Sequence, residues 1–250
     1  MSGHSKWSTI KRAKAAADAQ RGKIFTRIAR DIMLAARDGG GDESANAKLK
    51  LAIIKARAAN MPRDNIERAI KRGTGELEGA AMEEITYEGY GTDGIAFMID
   101  VLTDNKNRSL ADIKRVFNRA GGSLASAGSV AWQFTQMGYI KIAVAGVEFD
   151  SLFMAAADAG AEDVVEEDDG FSVYTPREML AAVEHALTEA GYTVDESELF
   201  WKPSNETELP VERAVANMKL QEALEELDDV QSVASNLLVS DSVIAALETA

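Results

Sequence analysis

The spacing of apolar residues changes at about residue 83 of this chain, and the change limits what the chain can fold into. Between residue 13 and about residue 72, apolar side chains recur every three or four positions, which is typical of amphipathic helices. At residue 83 begins the first stretch in which apolar and polar side chains alternate, "EEITYE", which is typical of a strand with one buried face. We therefore expect an all-helical segment followed by α+β structure.

Three helices are expected in the first segment. The first covers residues 13–38 and ends at "GGG" (39–41), because glycine adopts the left-handed conformation that ends many helices. The second spans about 45–60, ahead of Pro62, and the third runs through "RDNIERAIKR". Residues 1–75 are therefore expected to form a basic helical domain, a three-helix bundle with a flexible N-terminal tail.

Residues 139–204 contain the elements of a ferredoxin-like domain. A strand and a helix are followed by a hairpin around Asp168-Asp169-Gly170, then by a second helix and a last strand. This β-α-β-β-α-β order is the ferredoxin-like one. The helix and strand that follow Pro210 cannot bury a core alone. They are expected to complete the sheet that begins at residue 83, which makes residues 139–204 an insertion.

The predicted fold class is multidomain, α plus α+β, with an N-terminal three-helix bundle followed by two ferredoxin-like α+β domains, one inserted in the other. The predicted domains are residues 1–75, residues 76–138 with 205–250, and residues 139–204. In the discontinuous domain, "VAWQFTQ" (130–136) is expected to be a strand. Ser109 and Asp112 are expected to form a capping box for the helix "LADIKRVFNRA".

The charge is distributed unevenly between the two segments. The whole chain carries a formal net charge of −14, yet residues 1–75 hold 17 Lys and Arg against 7 Asp and Glu, a net of +10. The remaining residues carry a net of −24. Such asymmetry indicates a polyanion-binding module on an acidic body. The alternative is that the basic and acidic faces attract each other within one molecule or between two copies.

A basic tail that carries an aromatic residue favours nucleic acid as the polyanion. Cations replace the counterions of phosphate groups, and a ring such as that of Trp7 offers a surface on which a base can stack. Trp7 could instead dock the tail onto the bundle. The predicted nucleic-acid-binding residues are Lys6, Trp7, Lys11, Arg12, Lys14, Arg21, Lys23, Arg27, Arg30, Arg63, Arg68, Lys71 and Arg72.

Other functional motifs are weak or absent. "GYGTDG" (89–94) matches the dinucleotide-binding pattern, but a strand follows it where that pattern needs a helix, so we expect a hairpin turn. Without cysteine and with only two histidines, His4 and His185, the sequence offers no catalytic triad and no transition-metal spacing. No catalytic residue, metal, cofactor or small-molecule substrate is therefore predicted. The lack of cysteine and of a membrane-spanning apolar run favours the cytoplasm and no membrane partner.

Several stretches resemble those of one known family. They include "GHSKW" (3–7), "RGKIFTR" (21–27), "LTDNKNR" (102–108), "GSVAW" (128–132) and "LDDVQSVASN" (227–236). In this order the stretches make the chain similar to the YebC/PmpR family over essentially its full length. The resemblance implies a helical N-terminal domain and two α+β domains. It also implies a cytoplasmic, DNA-binding transcriptional regulator.

The predicted function is a non-enzymatic, nucleic-acid-binding regulator of gene expression, of the DNA-binding transcriptional kind. The family also includes a mitochondrial translational activator, and bacterial members are linked to ribosomes stalled on proline-rich stretches. The resemblance therefore implies one alternative, a ribosome-associated translation factor that contacts ribosomal or transfer RNA. A second alternative is an acidic module that binds a protein. Steep salt dependence of binding would indicate phosphate contacts and would exclude the second alternative.

Overall fold

The computed structural model describes residues 19–77, 82–144, 146–167 and 170–248, and the side chains of residues 19–23 and 248 lie outside that description. The chain divides into two compact units. One unit holds residues 132–204, and the other holds the described residues on either side. No described helix combines the length and the apolar content needed to cross a membrane.

The helices and strands are numbered in chain order. The all-helical part contains α1 (Ala19–Gly39), α2 (Ala47–Ala58) and α3 (Arg63–Gly73). The part before the insertion contains β1 (Glu83–Tyr90), β2 (Ala96–Thr103), α4 (Lys106–Arg119) and β3 (Ser123–Ala125). The inserted unit contains β4 (Phe134–Ala143), α5 (Phe149–Ala159), β5 (Asp163–Glu167), β6 (Gly170–Pro176), α6 (Leu180–Glu189) and β7 (Val194–Pro203). The last part contains α7 (Val211–Glu225), β8 (Val230–Ser235) and α8 (Asp241–Glu248).

The first three helices form a bundle with its own apolar core. Both α2 and α3 pack against α1, and Ile32, Leu49 and Ile66 lie buried among them. Asn46 connects α1 to α2, because its side-chain oxygen accepts from Leu49 N while its amide donates to the oxygen of Ala35 at 2.7 Å. The predicted bundle is confirmed; the predicted start of its first helix, residues 13–18, lies outside the described residues.

The first sheet has the strand order β3-β1-β2-β8, with every neighbouring pair antiparallel. Alternate residues of β2, including Phe97 and Ile99, form one core with residues of α4, α7 and α8. The hairpin predicted at "GYGTDG" is confirmed, because a short turn at Thr92–Gly94 joins β1 to β2. Asp93 and Gly94 both have positive φ in this turn, as tight hairpins require.

Two local predictions for this sheet are wrong. The segment 130–136 is not one of its strands: β3 forms the edge, and residues 128–131 bend around the carboxylate of Glu88, which accepts their N–H groups at 2.6–3.0 Å. Ser109 does not cap α4 either. Asn105 caps it instead, because its side chain accepts from Arg108 N at 3.1 Å. The hydroxyl of Ser109 is thereby left to bond elsewhere.

The second sheet, in the inserted unit, has the strand order β5-β6-β4-β7, again all antiparallel. With α5 between β4 and β5 and α6 between β6 and β7, this is the ferredoxin-like connectivity. The unit begins at residue 132 rather than 139, because one continuous strand covers Phe134–Ala143. Its two ends meet, since Ser204 N donates to the oxygen of Gln133 at 2.7 Å.

The predicted fold class is confirmed: a three-helix bundle is followed by two α+β domains, each with a four-stranded antiparallel sheet, and one is inserted in the other. The first α+β domain is not ferredoxin-like as predicted, because the two sheets differ in connectivity. In the inserted unit the central strands β4 and β6 are separated by a helix and a strand, whereas in the first sheet the central strands β1 and β2 are consecutive.

Candidate nucleic-acid interface

The C-terminal half of α3 carries the most accessible positive charge among those predicted residues whose side chains the structure describes. Arg68, Lys71 and Arg72 are all exposed, and their spacing of three and four residues places them on one side of the helix. None of them forms an ion pair or a side-chain hydrogen bond with the residues that the structure describes. Each therefore has its full charge available for a phosphate group.

The N-terminal half of α3 is electrically balanced. Arg63 is exposed, but its Nε donates to the carboxylate of Glu67 at 2.8 Å. Asp64 adds a second acidic group in the first turn. We therefore place Arg63 at the edge of the candidate face and expect it to contribute less than the three cations that follow.

Helix α2 also carries exposed cations, and the predicted set did not include them. Lys48 and Lys50 are exposed. The apolar side chain of Ile54 on the same helix is also exposed, with 42% of its surface accessible. Arg57 is also exposed, but it pairs with Glu43 at 3.2 Å. The sequence "AKLKLAIIKARA" could have predicted that these lysines are exposed, because they lie outside the buried stripe that contains Leu49 and Ile53.

The helix pattern predicts that Arg27 and Arg30 are exposed and bind nucleic acid. In the structure, their side chains instead bind groups of the same chain, so they form no part of an exposed cationic face. Arg27 donates to the backbone oxygen of Glu225 at the end of α7, where a helix carries partial negative charge. Arg30 donates to the carboxylate of Asp229 at 2.6 Å, and the side chains of this pair are only 11% and 8% exposed. Both arginines bind the acidic α+β part of their own chain, so we remove them from the candidate face.

The buried Asp229 is the centre of a polar cluster, the Asp229 cluster, which also contains Thr103, Ser109, Arg30 and the half-exposed Arg108. Its carboxylate accepts from Arg108 at 2.8 Å, from the hydroxyl of Ser109 at 2.6 Å and from that of Thr103 at 2.9 Å. Burial alone would raise the pKa of Asp229. The hydrogen bonds from Ser109, Arg108 and Thr103 and the charge of Arg30 outweigh burial and lower it.

Sequence patterns gave no sign of the Asp229 cluster, because its members are far apart in the chain. Arg108 and Asp229 come from two stretches that carry the family resemblance, "LTDNKNR" and "LDDVQSVASN". A cavity of about 540 Å³ lies beside them. Its lining holds two arginines but five carboxylates, those of Asp104, Asp112, Glu226, Asp228 and Asp229. This acidic lining would repel a polyanion, so we do not assign nucleic acid to the cavity.

The other predicted residues divide into two groups. Arg21 and Lys23 belong to α1, but their side chains lie outside the description. A second group, in the N-terminal tail, lies entirely outside the described residues: Lys6, Trp7, Lys11, Arg12 and Lys14. The structure therefore brings Arg63, Arg68, Lys71 and Arg72 together on α3 and separates Arg27 and Arg30 from them.

The described residues contain no grouping of three or more His, Cys, Asp or Glu that could hold a metal ion. His185 is largely exposed on α6, 3.5 Å from the carboxylate of Glu189 at the next turn. Such a pair on a helix surface is a common solvent-exposed arrangement, and it positions no nucleophile.

Comparison with known proteins agrees with this architecture. Residues 5–76 match the family model described as TACO1/YebC protein N-terminal domain, and residues 82–237 match the one described as TACO1/YebC second and third domain. A probable transcriptional regulatory protein of Chlorobaculum tepidum is 51% identical over 99% of both chains. A protein of the same description from Acidithiobacillus ferrooxidans is 52% identical, also over 99% of both.

One solved structure is also similar. The crystal structure of a conserved hypothetical protein from Aquifex aeolicus is 41% identical in sequence and superimposes with a TM-score of 0.81. The match covers 91% of this chain and 94% of the other. Because the family models match most of the chain and the relatives are about half identical over nearly their full length, the chain belongs to the TACO1/YebC family.

Proposed function

We propose that this protein is a non-enzymatic regulator of gene expression that binds nucleic acid through α3 and α2, with DNA as its target. The observation that carries the proposal is the exposed, unneutralised set Arg68, Lys71 and Arg72. Other cations of the bundle, such as Arg30, Arg57 and Arg63, are paired with carboxylates. The relatives named as transcriptional regulatory proteins support DNA as the target.

The other predictions from the sequence are consistent with this proposal. The tail residues Lys6, Trp7, Lys11, Arg12 and Lys14 would extend the cationic face, with Trp7 available for base stacking. A cytoplasmic location is proposed with the function, because a transcriptional regulator acts where DNA is accessible. Because the remainder of the chain is acidic, it would repel a polyanion, and the polyanion would therefore approach the basic N-terminal part.

The test is a fluorescence anisotropy titration of a labelled 24-base-pair duplex at several salt concentrations. The variant combines Arg68→Gln, Lys71→Gln and Arg72→Gln. If all three contact phosphates, the slope of log K against log salt becomes less steep by about 3, since each contact contributes about 0.9. The matched control, Arg57→Gln with Arg63→Gln, removes exposed arginines that are already paired and should change the slope much less.

The same assay separates DNA from the RNA alternative. The competitors are an unlabelled random duplex, a candidate promoter duplex and purified ribosomes. A regulator that reads DNA should prefer its promoter over the random duplex by about a thousandfold or more. Equal competition by both duplexes, with stronger competition by ribosomes, would assign the cationic face to RNA. If the triple variant binds all competitors as the parent does, the proposed face is wrong.

A further inference from the structure

The outer side of α5, in the inserted unit, exposes large apolar side chains. Phe153 is 41% exposed and Met154 is 60% exposed, and Ala157 is exposed one turn further along. Their spacing places the three on one side of the helix. The opposite side is already buried in the core, with Leu152 and Ala156 both inaccessible. We call Phe153, Met154 and Ala157 the α5 strip.

The α5 strip is held in place by the core beneath it. The ring of Phe153 contacts the ring of Phe149, with centroids 6.0 Å apart, and Phe149 contacts Phe171 of β6 at 6.2 Å. A rigidly supported surface loses little conformational freedom when a partner covers it, which favours binding.

The surroundings of the α5 strip are strongly acidic. The inserted unit, residues 132–204, holds three Lys and Arg against fifteen Asp and Glu, a net charge of −12. One of the three cations, Lys141, is buried beside Glu167. Asp150 and Asp158 are exposed on α5 itself. An apolar strip bordered by carboxylates repels nucleic acid and attracts a partner whose apolar residues are flanked by cations.

We propose that the α5 strip is a docking surface for a cationic amphipathic helix of another protein. Its apolar side would cover Phe153 and Met154, and its Lys and Arg side chains would pair with Asp150 and Asp158. An amphipathic helix carries its apolar anchors at i, i+3, i+4 and i+7, so that they lie along one side and can face the α5 strip together. This surface is separate from the nucleic-acid face on α3, so the two proposals stand or fall independently.

The experiment uses the full-length protein and two fluorescein-labelled synthetic peptides of 15 residues. Both carry the same number of lysines. The first has leucine at i, i+3, i+4 and i+7, and the second has serine at those positions. The test variant is Phe153→Ser with Met154→Ser, and Met154→Gln alone provides a milder change. Leu110→Ser, on α4, is the matched control, because Leu110 is also a partly exposed apolar residue on a helix. Thermal unfolding verifies that each variant is folded.

We expect the leucine peptide to bind the parent and the Leu110→Ser control equally. The Phe153→Ser, Met154→Ser variant should bind it about tenfold more weakly or worse, and Met154→Gln should lie between. The serine peptide should bind weakly and without distinguishing the variants. Equal binding of both peptides would mean that charge alone is recognised, and unchanged binding by the variants would place the site elsewhere. A parent dimer in analytical ultracentrifugation that the double variant abolishes would assign the surface to a second copy. Each of these three results overturns the proposal.

Discussion

Replacing Asp229 with asparagine tests how strongly the Asp229 cluster stabilises the protein. The substitution keeps the size of the side chain but removes its charge. Arg30, which is 11% exposed, would then lie beside a neutral amide. The new amide group would also face the hydroxyls of Ser109 and Thr103, which donate to the carboxylate at present.

Removing one partner of a buried ion pair costs about 3–5 kcal/mol. Here the cost should be near the lower value, about 3 kcal/mol, because Arg108 is half exposed and the asparagine oxygen still accepts one hydrogen bond. For a chain of this length, that loss corresponds to a fall in Tm of about 6–12 °C. Calorimetry and urea unfolding of full-length protein measure it.

The matched control is Asp104→Asn. Asp104 also pairs with Arg108 at 2.8 Å, but both of those side chains are about half exposed. Exposed pairs contribute at most about 1 kcal/mol, so this variant should unfold close to the parent. If Asp229→Asn costs no more than Asp104→Asn, the buried cluster does not stabilise the fold and the reasoning is refuted.

Acid titration provides a second check. The pKa of Asp229 is lower in the folded protein than its ordinary value. The charged carboxylate of Asp229 therefore stabilises the fold fully at any pH above the ordinary pKa of aspartate, about 4. This stabilisation is lost as the pH falls through the lower pKa of the folded state. The stability difference between parent and Asp229→Asn should be constant from pH 7 to about 5 and should shrink in acid. A difference that grows on acidification would contradict the assignment.

Two further predictions concern the first sheet and the insertion. Glu88→Gln should lower the free energy of unfolding in urea by about 2 kcal/mol, because the carboxylate accepts three backbone N–H groups from residues 128–131. The control is Glu84→Gln, at an exposed position, which should lower it little. Equal effects of the two variants would show that the loop does not depend on Glu88. After residues 134–203 are excised and the ends are joined by a short glycine-serine linker, the remaining protein should unfold cooperatively. Such unfolding would support the predicted nested domains (1–75, 76–138 with 205–250, and 139–204). Loss of cooperative unfolding in that remainder, measured by near-UV circular dichroism, would contradict the nesting.

Periodicity predicted the regular elements well because they depend on local spacing. The helices of the bundle and the ferredoxin-like order of the insertion follow from apolar positions three to four, or two, residues apart. The sequence does not predict strand β3, because its three residues are too few for an alternating pattern. The sequence places the start of β4 in the wrong sheet, because a strand pattern does not specify which neighbouring strand it pairs with.

The candidate site was predicted less well, for a related reason. A helix pattern divides residues into apolar and polar sides, and it predicts that the polar side faces solvent. In α1 that assumption fails for Arg27 and Arg30, whose polar partners come from residues about 200 positions later in the chain. For α3 the assumption holds, because no described acidic side chain pairs with Arg68, Lys71 or Arg72.

The hydrogen bond between Ser204 and Gln133 has a consequence for the order of folding. While the insertion is unfolded, bringing β8 to β2 requires closing a loop of about 126 residues, which costs about 4.3 kcal/mol in chain entropy. Once the insertion has folded, its ends are adjacent and the effective loop is about 55 residues, which costs about 3.5 kcal/mol. Folding of the nested segment therefore lowers the cost of adding the later strand by about 0.7 kcal/mol, or about threefold, although that segment lies in the middle of the chain.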